Sequence, residues 1–199
     1  MAWTTPAAAL AAALFVATCG GSEPAPEADT DSEPVAAGDT LLTVPAICSA
    51  APLDPALPAE PELPPSVAAT RAAIARAAVA CDYAALDSLA ASSDFSYSFG
   101  DGGAPADYWR EAEAAGEQPL WYLVRTLALP SFREQYDPAE PPLFVWPSVF
   151  TDEPTEEDWA ALEGVYSIEE IEAYREIGFI GYRVGIAEDG TWKFFVAGD

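Results

Sequence analysis

Reactive chemistry in this chain has to come from acids, because most other reactive side chains are scarce. The 199 residues hold 33 Asp and Glu, 8 Lys and Arg and no His, for a formal net charge of −25. Without His there is no Ser-His-Asp or Cys-His catalytic set, and no His-ligated zinc or haem. Nucleic acid is excluded as a partner, since phosphate binding needs clustered Lys and Arg. No Ser-x-x-Lys is present. What remains is carboxylate chemistry, such as the two acids that a glycosidase holds about 5–9 Å apart across a bond. Acids are so abundant that no pair stands out. Asp29-Thr30-Asp31-Ser32-Glu33 makes a poor calcium loop, with Pro34 where Gly is required. Phe99-Gly100-Asp101-Gly102-Gly103 lacks the Lys of a phosphate cradle and reads as a turn. Trp109, Trp121, Tyr122, Trp146 and Trp192 could stack on sugars, but interspersed with Leu and Val they suit a core better. No metal or cofactor is expected.

Two arginines carry the sharpest single-residue signal. Arg71 falls on the apolar face of a helical stretch, and a charge there must be paired or snorkel to water. It either holds an anionic ligand in a pocket or pairs with an acid of its own domain. Residues 66–199 contain 24 acids against 8 bases, which favours the pair. Arg183, on the polar face of a strand, has the same two readings.

The third reactive type is cysteine. Residues 7–17 form an apolar run of 11, too short for a bilayer span of about 20 helical residues but suited to a signal peptide. The run ends in Val16-Ala17-Thr18-Cys19-Gly20-Gly21-Ser22, which resembles the lipobox of bacterial lipoproteins. Val16, Ala17 and Cys19 match that pattern and Thr18 departs from it. The resemblance implies cleavage before Cys19 and acylation of its thiol, palmitate included. The protein would then be held on the cell membrane, facing out of the cytoplasm, by about 0.8 kcal/mol per buried CH₂ and with no basic patch. Ordinary secretion or a periplasmic location is the alternative. With Cys19 lipidated, Cys48 and Cys81 are the remaining thiols. Two leftover cysteines in an exported chain suggest a disulfide, contributing about 3–4 kcal/mol, or else two separately buried small hydrophobes.

Four segments position these residues. Residues 1–18 read as the signal peptide and 19–39 as an acidic linker too poor in large apolar residues to offset its ordering entropy. Residues 40–65 read as a Pro-rich, semi-ordered segment and 66–199 as one domain. Helices are expected after Pro64-Pro65 with Ser66 as N-cap, at 83–90 behind Asp82, at 106–115, and from Pro119 to Leu127. Two more open at Thr155 and at Ser167, the latter a Ser-x-x-Glu capping box. Strands are expected at 95–99 and in a hairpin, 180–187 and 192–197, around Asp189-Gly190. The five-proline stretch 138–154 reads as irregular. The fold class is therefore α+β, several short helices on a small antiparallel sheet of about three strands with a C-terminal β-hairpin.

Two further resemblances bear on the domain. Asp82-Tyr83-Ala84-Ala85-Leu86 followed by Phe95-Ser96-Tyr97-Ser98-Phe99 is similar to the opening of nuclear-transport-factor-2-like cones, an alternative fold that implies a larger curved sheet. Tyr108-Trp109-Arg110, Phe144-Val145-Trp146-Pro147 and the tail from Asp189 to Asp199 resemble an uncharacterised family of exported bacterial proteins. That likeness implies one coherent domain and no particular activity. The expected function is a lipid-anchored, extracytoplasmic binding or interaction module of the bacterial cell envelope, without catalysis. The alternative is a carboxylate-dependent envelope enzyme acting on glycans.

Overall fold

In the computed structural model the described residues are 48–98, 103–135 and 137–198, and all belong to one compact unit, Leu42–Asp199. Residues 1–47, which hold the expected signal segment, Cys19 and the expected acidic linker, lie outside the described residues, as do 99–102, 136 and 199.

Proline and capping side chains set the helix starts. Helix α1 (Pro65–Val79) has Pro65 in its first turn, where a missing N–H costs nothing. Its N-cap is Pro64, not Ser66, whose hydroxyl instead donates to the Glu188 carbonyl at 2.5 Å. Helix α2 (Tyr83–Leu89) is capped as expected, the Asp82 carboxylate accepting from Ala85 N at 3.0 Å. Helix α3 (Pro105–Ala115) closes on Gly116 at φ +87°, a left-handed position that favours glycine. Helix α4 (Pro119–Leu127) buries Leu120, Leu123, Val124 and Leu127, its i, i+3, i+4, i+7 stripe. Helices α5 (Glu156–Ala161) and α6 (Ile168–Ile177) both open with capping boxes, at Thr155/Asp158 and Ser167/Glu170.

The sheet is larger than the sequence pattern announces. Strands β1 (Ser96–Tyr97), β2 (Phe132–Glu134), β3 (Leu143–Trp146), β4 (Arg183–Ala187) and β5 (Trp192–Val196) lie in the order β1-β5-β4-β3-β2. β4 and β5 form the expected C-terminal hairpin. β1 runs parallel to β5, so the sheet is mixed and not wholly antiparallel. β3 corrects the reading of 138–154 as irregular. Its residues pair with β4 from some 40 positions away, Phe144 opposite Ile186, and such pairing leaves no local periodic signal.

Two apolar clusters hold the layers together. The first joins α1 to α4 with the sheet through Ile74, Leu86, Trp109, Leu123, Leu127, Trp146, Trp192 and Phe195. The second lies around Leu129, Val149, Trp159, Leu162, Tyr166, Ile171 and Phe179. Every residue of β4 is buried. Gly185 in that strand has no room for a side chain, since a Cβ there would sit 2.2 Å from the Phe194 ring.

Candidate functional site

Arg71 does lie on the buried face of α1, beside Val67, Ile74 and Ala78. Its guanidinium is engaged on several sides. Nη2 meets Glu60 Oε1 at 2.8 Å, Nε and Nη2 donate to the Leu127 carbonyl at 3.0 and 2.6 Å, and Nη1 donates to the Pro58 carbonyl at 2.9 Å. The group also stacks over Trp146 at 5.4 Å. Glu60 completes the clasp. Its Oε1 accepts from Trp146 Nε1 at 2.9 Å, and its Oε2 accepts from Ser131 N at 3.0 Å and Ser131 Oγ at 2.5 Å. Burial pulls the Arg71 pKa below its ordinary value while Glu60 works in the opposite direction. The arrangement clamps the Pro-rich chain around Pro58 and Glu60 onto α1 like a collar. The ligand position that an anion would need is filled by Glu60.

The Cys48–Cys81 disulfide is formed, with Cα atoms 6.1 Å apart. It fastens the start of the collar to the end of α1. Arg183, also buried, donates from Nη2 to the Gly198 carbonyl and stacks 4.6 Å over Phe150. Arg71 thus lies on the helix face that the period gives it, whereas Arg183 lies in a strand buried throughout and not on a polar face, because the sheet is covered on both sides. The structure does not bring them together.

Glu113 is a buried acid that the sequence reading passed over, with 2% of its surface exposed. It accepts from Ser49 N at 2.7 Å, Ser49 Oγ at 2.6 Å and Leu120 N at 2.9 Å, while Ser49 Oγ accepts from Trp121 N at 2.9 Å. The carboxylate thus serves the unpaired N–H groups at the start of α4. A signal for it exists, since Ala106, Trp109 and Glu113 at i, i+3, i+7 share one helix face. Glu113 is the one fully buried acid among the described residues, so they show no pair of facing buried acids.

Aromatic rings form the other concentration of reactive groups. Trp109, Trp146 and Trp192 lie in the core, while Trp121 and Tyr122 are half-buried. A seam of stacked rings runs from Phe195 to Tyr182 (5.1 Å), Tyr122 (4.7 Å) and Tyr166 (5.8 Å). Trp121 packs edge-on to Tyr122 at 5.0 Å. Burial pushes the Tyr182 phenol up to about 12, with Tyr108, Tyr122, Glu117 and Glu113 adding to it. Burial also raises Tyr122, with Glu170 adding to it. Burial raises Tyr166 furthest, against the opposing hydrogen bond its hydroxyl accepts from Tyr182 N at 2.8 Å.

Grooves of about 570 and 490 Å³ flank the collar. The larger is walled by Pro55, Leu57, Pro58, Leu63 and Ala68, with Arg76 exposed at its rim. Among the described residues, no cluster of three metal-ligating side chains occurs and no helix is long and apolar enough to cross a membrane. No family model, no curated protein and no solved structure matches the chain.

Proposed function

We propose that this chain is a lipid-anchored, extracytoplasmic protein of the bacterial cell envelope whose folded part is a non-catalytic binding or interaction module. The Cys48–Cys81 disulfide is the observation that carries the reading, because such bonds persist in oxidising compartments outside the cytoplasm. It also supports the assignment of the remaining thiol, Cys19, to the lipid. The non-catalytic reading is supported by how several acids are used. Glu60 and Glu113 both bind protein donors, and Asp158 and Glu170 close helix caps. A partner surface is available in the grooves beside the collar, where apolar proline and leucine walls meet the exposed Arg76.

The anchor is tested by Cys19→Ala in cells. The expected result is transfer of the protein from the membrane fraction to the soluble extracytoplasmic fraction. Unchanged fractionation overturns the anchor. Binding is tested by a thermal-shift screen of the full chain with glycans, divalent cations and small anions, where a bound ligand raises the melting temperature. Glycan turnover under the same conditions overturns the non-catalytic reading.

A further inference from the structure

Tyr122 and Tyr182 form the closest ring pair among the described residues. Their centroids are 4.7 Å apart and their planes within 23° of parallel. Both are half-buried, packed against the two apolar clusters. The other tyrosine pairs are less suited to reaction with each other. Tyr97 and Tyr108 are tilted by 46° at 5.7 Å, and Tyr166 and Tyr174 cross at 84°. Tyr122 and Tyr166 are 5.8 Å apart, and the Tyr166 hydroxyl is buried and hydrogen-bonded to Tyr182 N. Tyr122 and Tyr182 alone combine short separation, parallel planes and hydroxyls with no hydrogen-bond partner among the described residues.

We propose that Tyr122 and Tyr182 are an oxidative cross-linking site, where a peroxide-driven one-electron oxidant such as a peroxidase joins α4 to the start of β4 as a dityrosine. Each phenol gives up one electron to the oxidant and its O–H proton to solvent or a nearby carboxylate. The charge of Glu170 acts on Tyr122, and those of Glu117 and Glu113 act on Tyr182. The two phenoxyl radicals couple through ring carbons ortho to oxygen, across a stack whose ring centroids lie 4.7 Å apart. The two displaced ring protons end on the oxygens, restoring both phenols. One peroxide takes up two electrons and two protons and leaves as two waters, so the protein loses two hydrogens in all. Both phenols are protonated near neutral pH, as ordinary tyrosines are, so the electron leaves together with the proton. The product is a carbon–carbon staple that, unlike Cys48–Cys81, thiols do not reverse.

The sequence makes the test clean. Trypsin cuts after Arg110, Arg125, Arg175 and Arg183, so Tyr122 is the one tyrosine in residues 111–125 and Tyr182 the one in 176–183. The full chain, treated with hydrogen peroxide and a peroxidase, is expected to gain dityrosine fluorescence as a monomer and to yield these two peptides joined, less two hydrogens. Tyr122→Phe and Tyr182→Phe should each abolish the joined peptide, and Tyr97→Phe should leave it. Cross-links that map to other tyrosines, or that form only between molecules, overturn the proposal. So does oxidation confined to Trp121 with both peptides intact. The peptide map of the unmodified sequence decides the matter even if a variant folds poorly.

Discussion

The collar and the aromatic seam solve the same problem with opposite chemistry. Both fasten chain segments distant in sequence onto the helical layer. At the collar, Arg71 and Glu60 do so with directed polar contacts, each reaching several partners across 11 to 86 residues of chain. At the seam, Phe195, Tyr182, Tyr122 and Tyr166 do so by stacking, with the Tyr182 N–H to Tyr166 hydroxyl bond as the polar addition. The polar clasp is intolerant, because removing either charge costs the buried Arg71–Glu60 contact its counter-charge. The stack tolerates loss of the Tyr122 or the Tyr182 hydroxyl, because the ring area is what packs. A buried Arg is thus a lock here, whereas a cluster of tyrosines keeps reactive oxygens available.

The largest expected effect breaks the clasp. Arg71→Leu should destabilise the domain by about 3 kcal/mol, since Glu60 is left without its cation. Urea denaturation should show this, with faster hydrogen exchange around Pro58 and Glu60. An unchanged midpoint would mean the collar is held by the disulfide alone. A smaller effect should appear at the seam in alkali. Tyr182 titrates near 12 when folded against an ordinary value of 10. Its contribution is therefore complete below pH 10 and is lost as pH rises toward 12, because the unfolded chain ionises first. Denaturation midpoints across that range should fall, and a flat profile would remove the packing role of this phenol. The smallest effect is that of Tyr122→Phe, expected to change stability by less than about 0.5 kcal/mol because the lost hydroxyl bonds no group among the described residues.

Legibility followed the range over which each feature is decided. The α2, α5 and α6 starts could be read from Asp82, Thr155 and Ser167 because caps act within three residues. The α4 stripe and the Asp189-Gly190 hairpin are local in the same sense. Ser66 misled, since a serine after two prolines resembles a cap, yet its hydroxyl was claimed by Glu188, 122 residues away. β2 and β3 were missed because short, proline-flanked segments become strands only when β4 is present to pair with them. At the candidate sites, the two available cysteines were enough to suggest the disulfide. The helical period placed Arg71 on the buried face of α1, but choosing its partner among 24 domain acids or the nine before them was beyond any spacing rule.

By itself the sequence determined the exclusion of His chemistry, the helix starts that prolines and caps enforce, and the buried position of Arg71. Composition and i to i+4 periodicity are properties of the chain before it folds. The tertiary structure alone decided that Glu60 fills the place beside Arg71, that Glu113 feeds α4, and that Tyr122 lies against Tyr182. Those choices depend on which distant segments meet, and the net charge of −25 that opened the question is silent on that.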